Sequence, residues 1–202
     1  MLVAGLLVVI AAIAVALGHP AASPIDVRPI EHPGVPGEAV PDGTTVGEHR
    51  GALGEADGAV PDGTTVFDDG LPGVANLDPK FLGVLRQAAT VAADAGVGLF
   101  VDSGWRSPEY QEQLLREAVS KYGSEAEAAR WVATPETSVH VSGDAVDIPS
   151  RAAAWLSEHG AEYGLCQIYG NEPWHFELRP DAVDHGCPSM YADPTHDPRM
   201  QQ

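Results

Sequence analysis

Gly143 and Pro173 interrupt the two segments that carry most of this chain's chemistry, and so limit how those segments can fold. The first segment reads Ser138-Val139-His140-Val141-Ser142-Gly143-Asp144-Ala145-Val146-Asp147, and the second Glu172-Pro173-Trp174-His175. His140 and Asp147 are seven residues apart, and Glu172 and His175 three apart, spacings that would share one face of a helix. Gly143 and its Val-rich flanks argue against a helix in the first segment. Pro173 drives Glu172 out of the helical region. The pattern therefore predicts a loop turning at Ser142-Gly143 into a strand over 145–148. It places Glu172 in a second loop and His175 at the start of another strand. No HExxH is present, so the common helix-borne metal motif is absent.

Two imidazoles and one carboxylate can hold a zinc ion and leave a fourth position open for water. A second carboxylate is then left over to move protons. Donors of this kind with an open position favour zinc over other divalent ions. Each residue also has a plainer reading: a lone His140 or His175 can be structural, and Glu172 a simple loop carboxylate.

The 202 residues carry a formal net charge of -18. Binding to phosphate backbones needs clustered Lys and Arg, so nucleic acid is excluded as a partner, and an anionic membrane surface with it. Residues 2–17 form an apolar run interrupted only by Gly5. It reads as a secretory signal peptide or as a slightly short membrane anchor. Either way the protein is expected outside the cytoplasm or in the cell envelope, with that segment (1–18) its only membrane contact. Cys166 and Cys187 fit export, where a pair is more often bridged than free. Unlinked thiols, or Cys187 and His185 as metal ligands, are the competing readings. A bridge would span Glu172 and His175 and hold their segment in place.

Residues 19–75 are rich in Pro, Gly, Asp and Glu, and read as a disordered acidic linker. They contain a direct repeat, Ala-Val-Pro-Asp-Gly-Thr-Thr-Val at 39–46 and again at 59–66. Two copies are too few for a solenoid. The folded domain is expected over 76–202. Asp78 caps a helix with Pro79 at its first position, and Phe81, Leu85, Ala88, Ala92 and Ala95 share one face. Residues 97–101 read as a buried strand. Ser107 and Pro108 start a second helix reaching Tyr122, and Ser124 with Glu127 starts a short third. Ser150 caps a fourth, ending at Gly160. Residues 165–169 and 174–178 read as a hairpin. Helices and short strands mixed without βαβ alternation predict an α+β fold, a small antiparallel sheet with helices packed against it.

Ser-x-His-x-x-Gly-x-Ala-x-Asp followed by Glu-x-x-His resembles the zinc D-alanyl-D-alanine carboxypeptidases of the VanY type, a family related to D,D-dipeptidases and phage endolysin peptidases. Upstream, Ser103-Gly104-Trp105-Arg106-Ser107 resembles the family's Ser-Gly-Tyr-Arg-Ser segment, with Trp105 in place of Tyr. The resemblance spans about 76–190. It implies a zinc site at the sheet, with His140, Asp147 and His175 as ligands and Glu172 as the catalytic carboxylate. Arg106 would stabilise the oxyanion or fork onto the substrate's terminal carboxylate; a helix-flanking salt bridge is its plainer role. Ser138 would donate a hydrogen bond to substrate, or serve only as a turn hydroxyl. Gln111 and Trp105 complete the expected substrate-binding set. The implied substrate is a peptidoglycan peptide ending in D-alanine, and the implied state a monomer. Endopeptidase or D,D-dipeptidase action on the same site, and a non-catalytic zinc-binding module, are the alternatives. The sequence departs from the family at Pro135-Glu136-Thr137-Ser138, where many members have Pro-Gly-x-Ser. It departs again at Val141, where many have Gln. These changes alter the lip of the pocket and leave the ligands untouched.

Overall fold

The computed structural model describes residues 53–201. The apolar run, the first repeat copy and linker residues 19–52 lie outside the described residues. Among those described, no helix is long and apolar enough to cross a membrane.

Residues 53–75 were expected in the linker, but they fold onto the domain. The segment begins with a 3-10 turn at Glu55–Asp57, runs through the second repeat copy, and ends in α1 (Pro72–Ala75). It is stitched down by backbone hydrogen bonds, each 2.8 Å long: Ser107 N to Asp57 O, Val101 N to Thr64 O, and Trp105 N to Gly73 O. Val66 and Val74 are fully buried. The composition misleads because the segment packs backbone against backbone. A Cβ on Gly104 would come within 2.0 Å of the Gly73 carbonyl oxygen, so only glycine lets these strands of chain meet.

The helices follow local rules. In α2 (Pro79–Asp94) the Asp78 carboxylate accepts from the amides of Lys80 and Phe81. Its buried face is Phe81, Leu82, Leu85, Ala88, Ala89 and Ala92; Ala95 falls outside it, exposed at the C-cap. In α3 (Pro108–Tyr122) the Ser107 hydroxyl accepts from the Tyr110 amide. α4 (Glu125–Ala128) is capped by Ser124. The stretch 97–101 is not a strand. Phe100 lies exposed and makes a single bridge to Thr65, and among the described residues no neighbouring strand continues the ladder.

The sheet holds β1 (Ala145–Asp147), then, after α5 (Ser150–His159), β2 (Leu165–Gln167) and β3 (His175–Leu178). Ser150 is the first residue of α5 rather than its cap; that position belongs to Pro149. The order is β1-β3-β2, all antiparallel, with β3 in the centre. This is the expected α+β arrangement. Asp147 pairs with His175, Val146 with Phe176 and Ala145 with Glu177. Side chains alternate between faces, so Asp147, His175 and Glu177 share one face. Val146 and Phe176 point the other way, into the core with α2 and Leu156 of α5. Short α6 (Ala182–His185) precedes a C-terminal segment that ends in two 3-10 turns.

Candidate active site

The sheet register brings Asp147 and His175 side by side. Residues 102–106 run along the free edge of β1, where the Asp147 amide donates to the Ser103 carbonyl (2.7 Å) and the Asp102 amide to the Asp147 carbonyl (2.9 Å). The third group arrives on the turn before β1. Gly143 adopts φ 80°, and a Cβ there would lie 2.5 Å from the Asn76 carbonyl oxygen. This tight turn against the start of α2 places His140 over the sheet.

Three atoms converge. His140 Nε2 lies 3.3 Å from His175 Nδ1 and 3.4 Å from Asp147 Oδ1, and the last two are 3.2 Å apart. A tetrahedral zinc with bonds of about 2.0–2.1 Å needs donor atoms about 3.3–3.4 Å apart. The triangle therefore already has the edge lengths of such a site. Each ring is held in the matching tautomer. His140 Nδ1 donates to the Gly104 carbonyl (2.8 Å), and His175 Nε2 donates to Glu177 Oε1 (3.2 Å). The outer nitrogens thus carry the ring protons of the neutral forms, so both inward nitrogens can present lone pairs to a metal, His175 Nδ1 once the proton it shares with Asp147 has left. Among the described residues this is the His/Cys/Asp/Glu cluster able to hold a metal ion.

Electrostatics agree with a site for positive charge. Burial works against a charged His175 ring, but its hydrogen bonds to Asp147 and Glu177 outweigh that and raise it to about 9. Burial, then the Arg106 guanidinium, hold His140 below the ordinary value. Asp147 stays well below its usual range. Burial opposes its charge, and the two imidazoles and Arg106 overcome the penalty.

Glu172 sits beside the triangle, with Oε2 3.9 Å from His175 Nδ1. It is 6% exposed, and its Oε1 is buried without a hydrogen-bond partner. Burial raises it to about 7. A buried carboxylate oxygen with no partner is costly, and beside three metal-type donors it is an acceptor waiting for a ligand's proton.

The structure redistributes the other expected residues. Arg106 lines the cleft, but it is engaged with protein first. Nη2 donates to Asp147 Oδ2 (2.8 Å), Nε to Ser103 Oγ (2.7 Å) and Nη1 to Gln111 Oε1 (3.1 Å). It fixes the orientation of Asp147, and two of its five N–H groups remain for a ligand. Gln111 is not a free substrate contact. It is 2% exposed, and its amide is consumed between Arg106 and the Ala133 carbonyl (2.8 Å). Trp105 does not line the cleft; its backbone faces α1. Ser138 is buried and does line it. The predicted bridge is present, with the Cα atoms of Cys166 and Cys187 5.6 Å apart.

The cleft has a volume of about 560 Å³. One wall is α3, presenting Gln111, Leu114, Ala118 and Lys121. Tyr122, stacked on Trp131 with centroids 5.7 Å apart, marks the far end. Two further contributors escaped the sequence reading. Glu177 could have been found, because it lies two residues after His175 on a strand and so shares its face. Tyr169, whose ring centroid is 5.2 Å from that of His175, carried no signal.

The profile of the VanY family, D-alanyl-D-alanine carboxypeptidase, matches residues 75–181, just over half of the chain. A D-alanyl-D-alanine carboxypeptidase of Enterococcus faecalis (strain ATCC 700802 / V583) is 31% identical over 126 residues, covering 50% of this chain and 47% of the relative. The chain thus matches about half the length of that curated relative. Among solved structures, VanYB in complex with D-alanine-D-alanine is 28% identical, with a TM-score of 0.50, covering 55% of this chain and 74% of that one. A variant of the vancomycin-resistance D,D-pentapeptidase VanY in complex with Zn(II) is 30% identical, with a TM-score of 0.48, covering 50% and 72%.

Proposed function

Since the chain belongs to the VanY family of D-alanyl-D-alanine carboxypeptidases, we propose that it is an exported zinc peptidase that removes the terminal D-alanine from peptidoglycan peptides. The observation that carries this reading is the donor triangle of His140, Asp147 and His175, with the unpartnered Glu172 oxygen beside it.

His140, Asp147 and His175 would hold the zinc. When bound, zinc supplies Lewis-acid polarisation of the scissile carbonyl and acidifies water near neutral pH. The chain's own groups do the rest. Glu172, ionised, takes a proton from the attacking water and hands it to the departing amine. Arg106 holds Asp147 with one side of its guanidinium and offers the remaining N–H groups to the developing oxyanion. Ser138, in the cleft wall, donates to the peptide backbone.

The length of the cleft supports a peptide longer than a dipeptide. Gln111 to Lys121 on α3 spans about 15 Å at 1.5 Å per residue, room for about four extended residues. Export is supported by the Cys166–Cys187 bridge, since such bonds persist in oxidising compartments.

The test is mass spectrometry of products from a defined muropeptide mixture treated with zinc-loaded protein. Release of free D-alanine alone from pentapeptide stems is expected. Internal cleavage would instead assign an endopeptidase, and cleavage confined to the free dipeptide a dipeptidase. Glu172→Gln should retain bound zinc and lose roughly 10²–10⁴-fold in rate. A fully active Glu172→Gln variant would sink the mechanism.

A further inference from the structure

The region that matches the family ends at residue 181, yet side chains beyond it reach back to the site. We propose that Arg199, in the C-terminal segment, is a positioning residue for His175, acting through the Glu177 carboxylate.

Glu177 is 1% exposed, and its Oε1 accepts a hydrogen bond from His175 Nε2. A buried carboxylate can stay charged in that place only if it is paired and hydrogen-bonded. Two arginines do this. Arg199 Nη1 donates to Glu177 Oε2 (2.8 Å) and Nη2 to Oε1 (3.2 Å), the two-pronged geometry that fixes a carboxylate's plane as well as its charge. Arg179 Nη2 adds a donor to Oε2 at 2.5 Å. Only Arg199 reaches the oxygen that holds His175.

Arg199 is itself locked. Its Nε donates to both oxygens of Asp197 (3.1 and 3.0 Å), and Asp197 is fully buried. The Tyr169 hydroxyl donates to Asp197 Oδ2 (3.0 Å), and the Tyr169 ring lies against His175. The path is thus a closed ring: His175, Glu177, Arg199, Asp197, Tyr169 and back to His175. It touches the imidazole at its outer nitrogen and across its ring. The inward nitrogen, Nδ1, faces the triangle, 3.2 Å from Asp147 Oδ1. Positioning partners of this kind are worth about 10–100-fold in metal affinity.

The inference rests on reading the triangle as a zinc site, so the test has one readout with zinc and one without. In the full chain, zinc affinity is measured by competition with a fluorescent chelator. Arg199→Ala should bind zinc about 10–100-fold more weakly. Arg199→Lys, with a point charge in place of the fork, should recover part of the loss and serves if the alanine variant does not fold. Glu177→Gln should also weaken binding, and adding Arg199→Ala to it should cost nothing more. His196→Ala, which removes a partner of Asp193 in the same segment, should leave affinity unchanged. In zinc-free protein, at a pH above 9 where the His175 ring is neutral, nitrogen NMR of the imidazoles should show His175 protonated at Nε2, and mixed tautomers once Arg199 is replaced. Unchanged affinity in both Arg199 variants, or losses that multiply in the double variant, would overturn the proposal. If the unaltered protein takes up no zinc, the zinc reading falls, and the tautomer measurement alone decides on Arg199.

Discussion

Glu172 and His175 are three residues apart, and burial acts on them in opposite chemical senses. Burial disfavours the charged form of each; for Glu172 it wins, raising the group to about 7. A general base must be ionised, so kcat/KM should fall as pH drops below the Glu172 pKa. A bound cation favours the carboxylate, so in the zinc-loaded protein this acid limb should lie below 7. A pH profile of kcat/KM checks this, and a limb that persists unchanged in Glu172→Gln would assign it to another group. His175 behaves differently, because Asp147 and Glu177 hold a proton on it up to about 9. Zinc and that proton compete for the same lone pair. Apparent zinc affinity should therefore rise about tenfold per pH unit below 9 and level off above it. Chelator competition between pH 6 and 10 measures the slope; a flat profile would show that no proton is displaced.

At the scale of elements, what the sequence displayed and what it hid follow from the range of the forces involved. α2 and α3 were readable with their starts, because Asp78 and Ser107 cap them through contacts two or three residues away. The stretch 97–101 has the composition of a strand but is paired only at Phe100, by one bridge to Thr65; a strand is a property of two segments, and composition describes one. Residues 53–75 look like a linker because glycine replaces side chains where backbones meet. That contact gives a direct test. Gly104→Ala forces a methyl group against the Gly73 carbonyl oxygen and should destabilise the domain by about 1–3 kcal/mol, seen in chemical denaturation. A neutral outcome would mean that residues 53–75 do not hold the position described. Asp78→Ala should cost only about 1 kcal/mol, a cap lost without a clash.

At the scale of the whole molecule, the Cys166–Cys187 bridge closes the stretch that carries Glu172, His175 and Glu177. A loop of this size limits the unfolded chain by about 3 kcal/mol. Replacing both cysteines with serine should lower the unfolding free energy by about that amount, measured by denaturant titration with and without zinc. Zinc should recover part of the loss, since a ligand that binds only the folded state stabilises it by mass action. No change on removing the bridge would mean that the core and the C-terminal ring already hold this stretch.

The sequence by itself determined which side chains were candidate donors. Gly143 and Pro173 excluded a helix and left a loop and strand frame for His140, Asp147, Glu172 and His175, and the resemblance of their motif to the VanY-type family implied their roles. The sequence also determined the α+β class and the caps of α2, α3 and α4, and favoured the cysteine bridge over its alternatives. Only the tertiary structure decided the division of labour among the remaining residues. Arg106 lines the cleft and also orients Asp147, Gln111 holds Arg106, and Trp105 lies away from the cleft. Glu177, Arg199, Asp197 and Tyr169 join the site through contacts across up to 28 residues of sequence. Donor chemistry belongs to the residue type and is written in the chain. Which oxygen meets which nitrogen depends on register, burial and chain return, which exist only once the sheet has closed.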